Sequence, residues 1–416
     1  MDLFGTSFEF AVTRKEALQQ WRAFLPKAGR YAGMRNQVQA RHENVSQLSP
    51  AVRLRLITED EIVAETLERY AFSTVEKWLQ EVCWRRYWKG WLEQRPGVWT
   101  DYRLKLQATE VSARAMEVMA GRSGVAVMDG FARELIETGY LHNHARMWWA
   151  SFWIHVEGLP WELGADFFYR HLLDADAASN TLSWRWVAGL QTPGKTYLVR
   201  RSNVEKYLEV MEDETGLERL EDGRVKARFI SETADLEVKA WRAGASSVEE
   251  LRARVGVWIH EDDLSVESSL ELKGCKPMAA TAFLAAARVE PFDLSEKRET
   301  HLVRALQDAC ARATMQWGVP MRLERGEVLV RHLVDWAQRE RVEVMVAMRP
   351  FVGPLGDEIE TIEAELGKVG VRCVWLRRAS DEQVLPLARR GFFPFWEKLS
   401  RELRSKSDLM RKEENE

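Results

Sequence analysis

Cysteine is scarce in this chain: four in 416 residues, Cys83, Cys275, Cys310 and Cys373, with no CxxC pair among them. That excludes a disulfide frame, a zinc knuckle and a thiolate-held cluster, so reduced thiols and no metal site are expected. Long apolar runs are missing as well. The densest, Met147 to Ile154, stops at His155, far short of the ~20 residues a bilayer span needs. No GxGxxG or phosphate-loop signature accompanies the first strand-like run, which continues into "WIHEDDLSVESS". The opening MDLFGTSFEF carries Asp2 and no basic region, from which a cytoplasmic protein is expected. Charge of one sign is not in excess either. The net charge of −4 is slightly basic through residue 210 and acidic beyond, which excludes a strong nonspecific polyanion binder and leaves room for a local patch.

What the chain has in abundance is tryptophan, 18 copies. A buried indole N–H needs a partner, so this count points to stacking surfaces or a redox use as well as to core. The rest of the composition, 46% apolar and 30% charged, is that of a globular protein long enough for two or three domains.

The periodicity divides the chain into unlike parts. Residues 8–207 repeat apolar positions three and four apart, as in "TEDEIVAETLERYAF" and "STVEKWLQEVCWRRYWKGWLEQ", and predict an all-α domain. Thr58 and Ser73 or Thr74 sit where N-caps belong, and Pro96 follows a helix end. Residues 208–254 read as a charged linker with short helices. From Val255 the period changes: "VGVWI", "MAATAFLA", "VEVMVAM" and "VRCVWL" alternate with helical patterns, which predicts a doubly wound parallel sheet over 255–400, followed by a charged tail, 401–416.

Two stretches concentrate polar chemistry. In "GYLHNHARMWWASFW" (139–153), Arg146 and Met147 fall one helical turn after Asn143, while Trp148 and Trp149 turn away. In "LLDADAASNTLSWRWVAG" (172–189), Asp174 and Asp176 precede Asn180, Trp184 and Trp186. Taken singly, the acidic pair is what a helix N-terminus favours. Taken together with "NVSQLSPAVR" (44–53), "WLQEVCWRRYW" (78–88) and "VWTDYR", these motifs in this order resemble the helical flavin-binding domain of the photolyase and cryptochrome family.

The resemblance implies FAD as cofactor. It implies that Tyr31, Ser46, Gln47, Leu48, Ser49, Arg85 and Asn143 contact it, with Arg146 and Asp174 as a buried pair near the ring, Asp176 at the polar ring edge and Asn180 opposite the flavin N5. Where the family has Thr-Ser-Arg, this chain has Val45, Ser46 and Gln47, so a hydroxyl and a cation are missing from the phosphate grip. The resemblance further implies damaged DNA as partner: Glu81, Trp84, Asn143, His144, Met147 and Trp186 would line the pocket for a flipped-out pyrimidine dimer, with aromatic faces receiving the bases and a carboxyl binding the pyrimidine edge. His144 departs from the Arg usual in the family. Trp184, Trp161 and Trp99 match a chain of three indoles leading from flavin to surface, whereas Trp148, Trp149 and Trp153 read as core.

Residues 255–397 resemble the family's α/β domain, which ordinarily comes first, so the order reads as a circular permutation. "HEDDL" departs from the Arg-rich loop usual there, which leaves the antenna chromophore open. The function this implies is blue-light-driven, FAD-dependent splitting of cyclobutane pyrimidine dimers. Asn180 and the Glu81/Trp84 pair favour repair. Gln47, His144 and the domain order favour a cryptochrome-like photoreceptor that signals through a protein partner. A flavoprotein that has lost both roles would retain FAD weakly.

Overall fold

The computed structural model describes residues 10–192, 194–245, 248, 253–285 and 293–413. Up to Tyr207 the described secondary structure is helical, and the local signals explain most of the boundaries. Thr58 forms a capping box with Glu61 at the start of the helix Glu59–Arg69, and Thr13 does the same with Glu16 for Arg14–Phe24. The long helix Phe72–Glu93 starts ahead of the predicted Ser73 or Thr74, behind an Ala71 that makes no side-chain cap. Tertiary packing replaces the cap, because Phe72 is buried and stacks on Trp396 at 6.2 Å. Pro96 opens the next helix, Pro96–Ala108, in the first turn, where a missing N–H is tolerated.

The bridge over 208–254 departs from its predicted short helices. Among its described residues only a 3-10 turn, Leu217–Leu220, forms. The pattern "WRAGASSVEELRARVG" is not helical over 241–245, because that backbone is tied elsewhere: Ala245 N–H bonds to the carbonyl of Trp375, and Gly244 N–H to Glu382. Residues 246, 247 and 249–252 of this pattern lie outside the described residues.

All four predicted strands form, as β1 (Val255–Ile259), β2 (Ala279–Ala285), β4 (Val344–Met348) and β5 (Arg372–Leu376). A fifth, β3 (Leu323–Gly326), escaped prediction because its sequence LERG has neither an apolar run nor alternation. The sheet is wholly parallel in the order β3-β2-β1-β4-β5, with helices Glu296–Trp317, Leu329–Arg339 and Ile359–Lys368 between successive strands from β2 to β5. Strand alternation sorts two cores. Val255, Val257 and Ile259 join Val344, Val346 and Met348 in one cluster with the helical half. Trp258, Met345 and Ala347 pack on the other face against Trp336, Ile362 and Leu366.

Predicted as a charged tail, residues 401–413 instead continue the helix Phe392–Glu413. Phe392, Phe395, Trp396, Leu399 and Leu403 are buried along it, an apolar stripe at helical spacing. It lies on Phe72–Glu93, with the indole N–H of Trp396 donating to Glu76 at 3.2 Å.

The turn after β1, His260 to Asp263, explains its acidity. Arg53 lies 3.4 Å from Glu261 and 3.1 Å from Asp262, and Arg55 bridges Asp263 at 3.1 Å and Asp381 at 2.8 Å. Arginines of the helical half thus fill the carboxyl end of the central strands, where an open α/β sheet ordinarily receives a ligand. Gly90 reinforces the contact, since a Cβ there would come within 2.9 Å of Leu385 Cα.

Candidate functional site

The site is built where four helical segments meet. Asp176 is the N-cap of the helix Ala177–Val187, its Oδ1 accepting the Ser179 N–H at 2.8 Å. One turn in, the buried Asn180 donates its amide to the carbonyl of Ala165 at 2.8 Å. From helix Asn143–Ser151, Arg146 sets Nη1 3.0 Å from Asp174 Oδ1, and its Nε bonds to the carbonyl of Leu141 at 2.7 Å. From Phe72–Glu93, Arg85 pairs with Asp176 and lies 3.5 Å from Asp174. Ser49 contributes a side-chain hydrogen bond to Asp174. Residues scattered from 49 to 176 are therefore one connected polar cluster, with Asn180 one helical turn beyond it.

The cations decide the charge state. Burial alone would push both carboxyls up, but Arg146 and then Arg85 hold Asp174 below the usual range. Arg85, Lys89 and Arg53 hold Asp176 down to about 2. Both are carboxylates at neutral pH, suited to accept from N–H donors on a ring edge. One turn before Arg85, Glu81 is 3.0 Å from Arg35 and 3.3 Å from Lys77. Tyr31 sits edge-on to Trp78 at 5.1 Å, and burial, then Glu81, push its hydroxyl pKa well up.

Other predicted contacts are placed differently. Gln47 adopts φ +52°, and its amide donates to the carbonyls of Arg41 and His42 at 2.9 and 3.1 Å, so the side chain holds its own loop. Ser46 Oγ accepts the N–H of Leu48, which is buried, and the helix that Ser49 opens, Ser49–Arg53, is only five residues long. That is a short dipole for a diphosphate. His144 turns away from the proposed substrate face: Nδ1 lies 2.9 Å from the carbonyl of Asn36 and the ring stacks on Trp148 at 4.5 Å. Asn143 is exposed and its amide lies 3.9 Å from Met147 Sδ. Trp84 does not offer an open face on the side where Phe392 stacks, 3.7 Å away and 9° from parallel. Trp186 is half-buried and stacks on Tyr197 at 5.6 Å.

The indoles behind the site are core, as expected: Trp148, Trp149 and Trp153 are all within 1% of full burial. Trp184 is walled by Phe168 at 5.1 Å and Trp149 at 6.1 Å. Trp161 and Trp99 are linked through Tyr102, at 5.4 and 5.5 Å between ring centroids. Trp99 does not reach the surface as predicted. It is 1% exposed, because the sheet half covers it and Asp357 accepts its N–H at 2.9 Å.

Lys89 was missed by sequence reasoning, although it stands one turn beyond Arg85 on the same helix. It is buried, 4.2 Å over the ring of Phe351, and lines a small cleft with Arg53, Asp176 and Asp262. Phe392 and Asp357 come from the other half of the chain, and no local pattern marks them.

The donor set fits an isoalloxazine. Paired carboxylates and guanidinia face one another beside a buried amide, and Trp184 Nε1, Thr181 Oγ1 and His142 Nε2 are buried without a hydrogen-bond partner. Among the described residues no group of His, Cys, Asp or Glu could hold a metal ion, and no helix is long and apolar enough to cross a membrane.

Comparison with known proteins agrees with this chemistry. Residues 78–254 match the family model described as the FAD-binding domain of DNA photolyase. The match begins after the 44–53 motif and ends where β1 begins. Deoxyribodipyrimidine photo-lyase of Thermus thermophilus is 35% identical over 188 residues, covering 44% of this chain and 44% of that protein. The Streptomyces griseus enzyme of the same name is 33% identical over 149 residues, 35% of this chain and 32% of that protein. A cryptochrome structure from Synechocystis is matched at 21% identity and TM-score 0.44, covering 49% of this chain and 44% of that one. The chain thus spans less than half the length of the curated relatives it matches. Over residues 78–254 the chain is thus similar to the FAD-binding domain of DNA photolyase, a similarity that supports FAD as its cofactor.

Proposed function

We propose that this chain is a blue-light-driven DNA repair enzyme that splits cyclobutane pyrimidine dimers. The observation that carries the proposal is the cluster of partly buried Arg85 and Arg146 on buried Asp174 and Asp176, with buried Asn180 one turn on, inside the segment matched to the FAD-binding domain. Bound FAD would supply light absorption and one-electron chemistry, as cofactors carry the hard chemistry of such sites. The chain's own residues orient and insulate. Asp174 and Asp176 accept from the polar ring edge, Arg85 and Arg146 balance their charge, and Asn180 offers a neutral amide that stabilises a reduced ring without protonating it. Glu81, released from Arg35, would bind the pyrimidine edge, with Asn143 and Met147 beside it. Ser46 and Ser49 remain the hydroxyls for the phosphates. Trp184, Trp161 and Trp99 form the electron chain. Residues 8–207 would act as the flavin and lesion domain and 255–400 as a permuted α/β domain, in a cytoplasmic protein.

Light sensing through a protein partner is the second reading, and the Trp84–Phe392 stack favours it, because a covered indole face cannot receive a base. The deciding experiment illuminates purified, chemically reduced protein with a thymine-dimer oligonucleotide. Blue-light-dependent restoration of thymines supports repair. Its absence, with FAD firmly bound and photoreducible, supports the photoreceptor.

A further inference from the structure

Of the three indoles in the proposed electron chain, one faces a base. The N–H groups of Trp184 and Trp161 are buried without an acceptor among the described residues. That of Trp99 donates to Asp357 Oδ2 at 2.9 Å, and the same oxygen accepts Arg103 Nη1 at 2.6 Å. Asp357 belongs to the turn Gly356–Glu358, beyond β4 in the sheet half and outside the matched flavin segment. Its side chain is 34% exposed where Trp99 is 1% exposed, so a proton leaving the buried indole reaches water through this carboxylate.

We propose that Asp357 is the proton acceptor that ends the electron chain at Trp99. Resting on the flavin reading above, the step would follow loss of one electron from Trp99, through Tyr102, Trp161 and Trp184, with bound light-excited FAD supplying the oxidant. An indole that has lost an electron is a far stronger acid at nitrogen than the neutral ring. Its N–H bond then breaks with the electron pair left on nitrogen, and an O–H bond forms at Asp357 Oδ2. Trp99 becomes a neutral radical and Asp357 a neutral acid, which passes its proton to water. Deprotonation traps the hole, since return of the electron would now require the proton back. Among the described residues Trp161 and Trp184 have no such acceptor, which gives the chain a direction. Burial raises the Asp357 carboxyl above its ordinary range even though Trp99 and Arg103 pull the other way, and this makes it a better base.

The test is flash photolysis of the FAD-loaded protein, following the indole radical cation as it converts to the neutral radical. Asp357→Asn keeps an oxygen that accepts the indole N–H but cannot take its proton. It should slow the conversion by about 10²-fold, a typical loss on removing a general base, and lower the yield of stable photoreduction. Asp357→Glu should restore much of both, and Trp99→Phe should abolish the neutral-radical signal. Conversion at the wild-type rate in Asp357→Asn would overturn the role of Asp357 while leaving the flavin reading intact. A wild-type protein with bound FAD that forms no indole radical after the flash would overturn the proposed electron chain of Trp184, Trp161 and Trp99.

Discussion

Gly164 lies on the helix Trp161–His171 against the face of Trp184, and replacing it with alanine tests whether the indole is held in a rigid wall. A Cβ at this position would fall 2.6 Å from Trp184 Cζ3, closer still to its Cη2, and 3.0 Å from Trp153 Nε1. Ordinary contact needs about 3.5 Å or more, so the indole must shift by about 1 Å. It has nowhere to go, because Phe168 and Trp149 close the other sides and Trp184 is only 2% exposed. Two effects oppose each other. Alanine is favoured over glycine inside a helix by about 1 kcal/mol, while overpacking a filled core costs about 1–3 kcal/mol. A clash this short at a walled-in indole puts overpacking at the upper end of its range, so Gly164→Ala should destabilise by about 2 kcal/mol net in urea unfolding. It should also change the photoreduction rate, since Trp184 moves. A variant as stable as wild type or more so, with unchanged photoreduction, would refute a rigidly packed Trp184.

Three further outcomes are expected. Trp161→Phe should block photoreduction of oxidised FAD while sparing repair by chemically prereduced protein; unimpaired photoreduction would remove Trp161 from the electron chain. Arg55→Ala should destabilise by about 3 kcal/mol, as breaking a buried pair does, because Asp263 and Asp381 lose a shared guanidinium; urea midpoints read this directly. His142 is buried and its Nδ1 accepts the His144 N–H. Desolvation, then His42, His144 and Arg146, lower its pKa to about 3. Below about 6.5, the ordinary histidine value, the unfolded chain binds a proton that the folded site refuses. Stability should therefore fall from about pH 6.5 down to about pH 3, and His142→Gln should make that limb shallower, leaving the part that His171 and His301, each lowered to about 4 by burial, contribute.

Most helices up to Tyr207 and four of the five strands were legible in the sequence, because they rest on short-range rules. Thr58 and Glu61 cap a helix by their spacing alone, and Asp176 announces the helix that carries Asn180. β3 was not legible, since LERG is held by pairing with β2 and not by any propensity of its own. The helix through 401–413 was read as a tail because charge dominates its composition, while Leu399 and Leu403 extend the apolar stripe that docks it.

The acidic turn at 260–263 shows the division most clearly. Its departure from a basic loop was visible in the sequence, but its purpose depends on Arg53 and Arg55, about two hundred residues away along the chain. The same holds for Phe392 on Trp84 and Asp357 on Trp99. The sequence by itself nominated Arg85, Arg146, Asp174, Asp176 and Asn180 as candidate flavin residues, because ordered motifs and their residue types carry the resemblance to a flavin-binding family. Only the tertiary structure decided which indole faces are covered and which N–H meets a base. Those contacts join the two halves of the chain, and no local pattern encodes the distance between them.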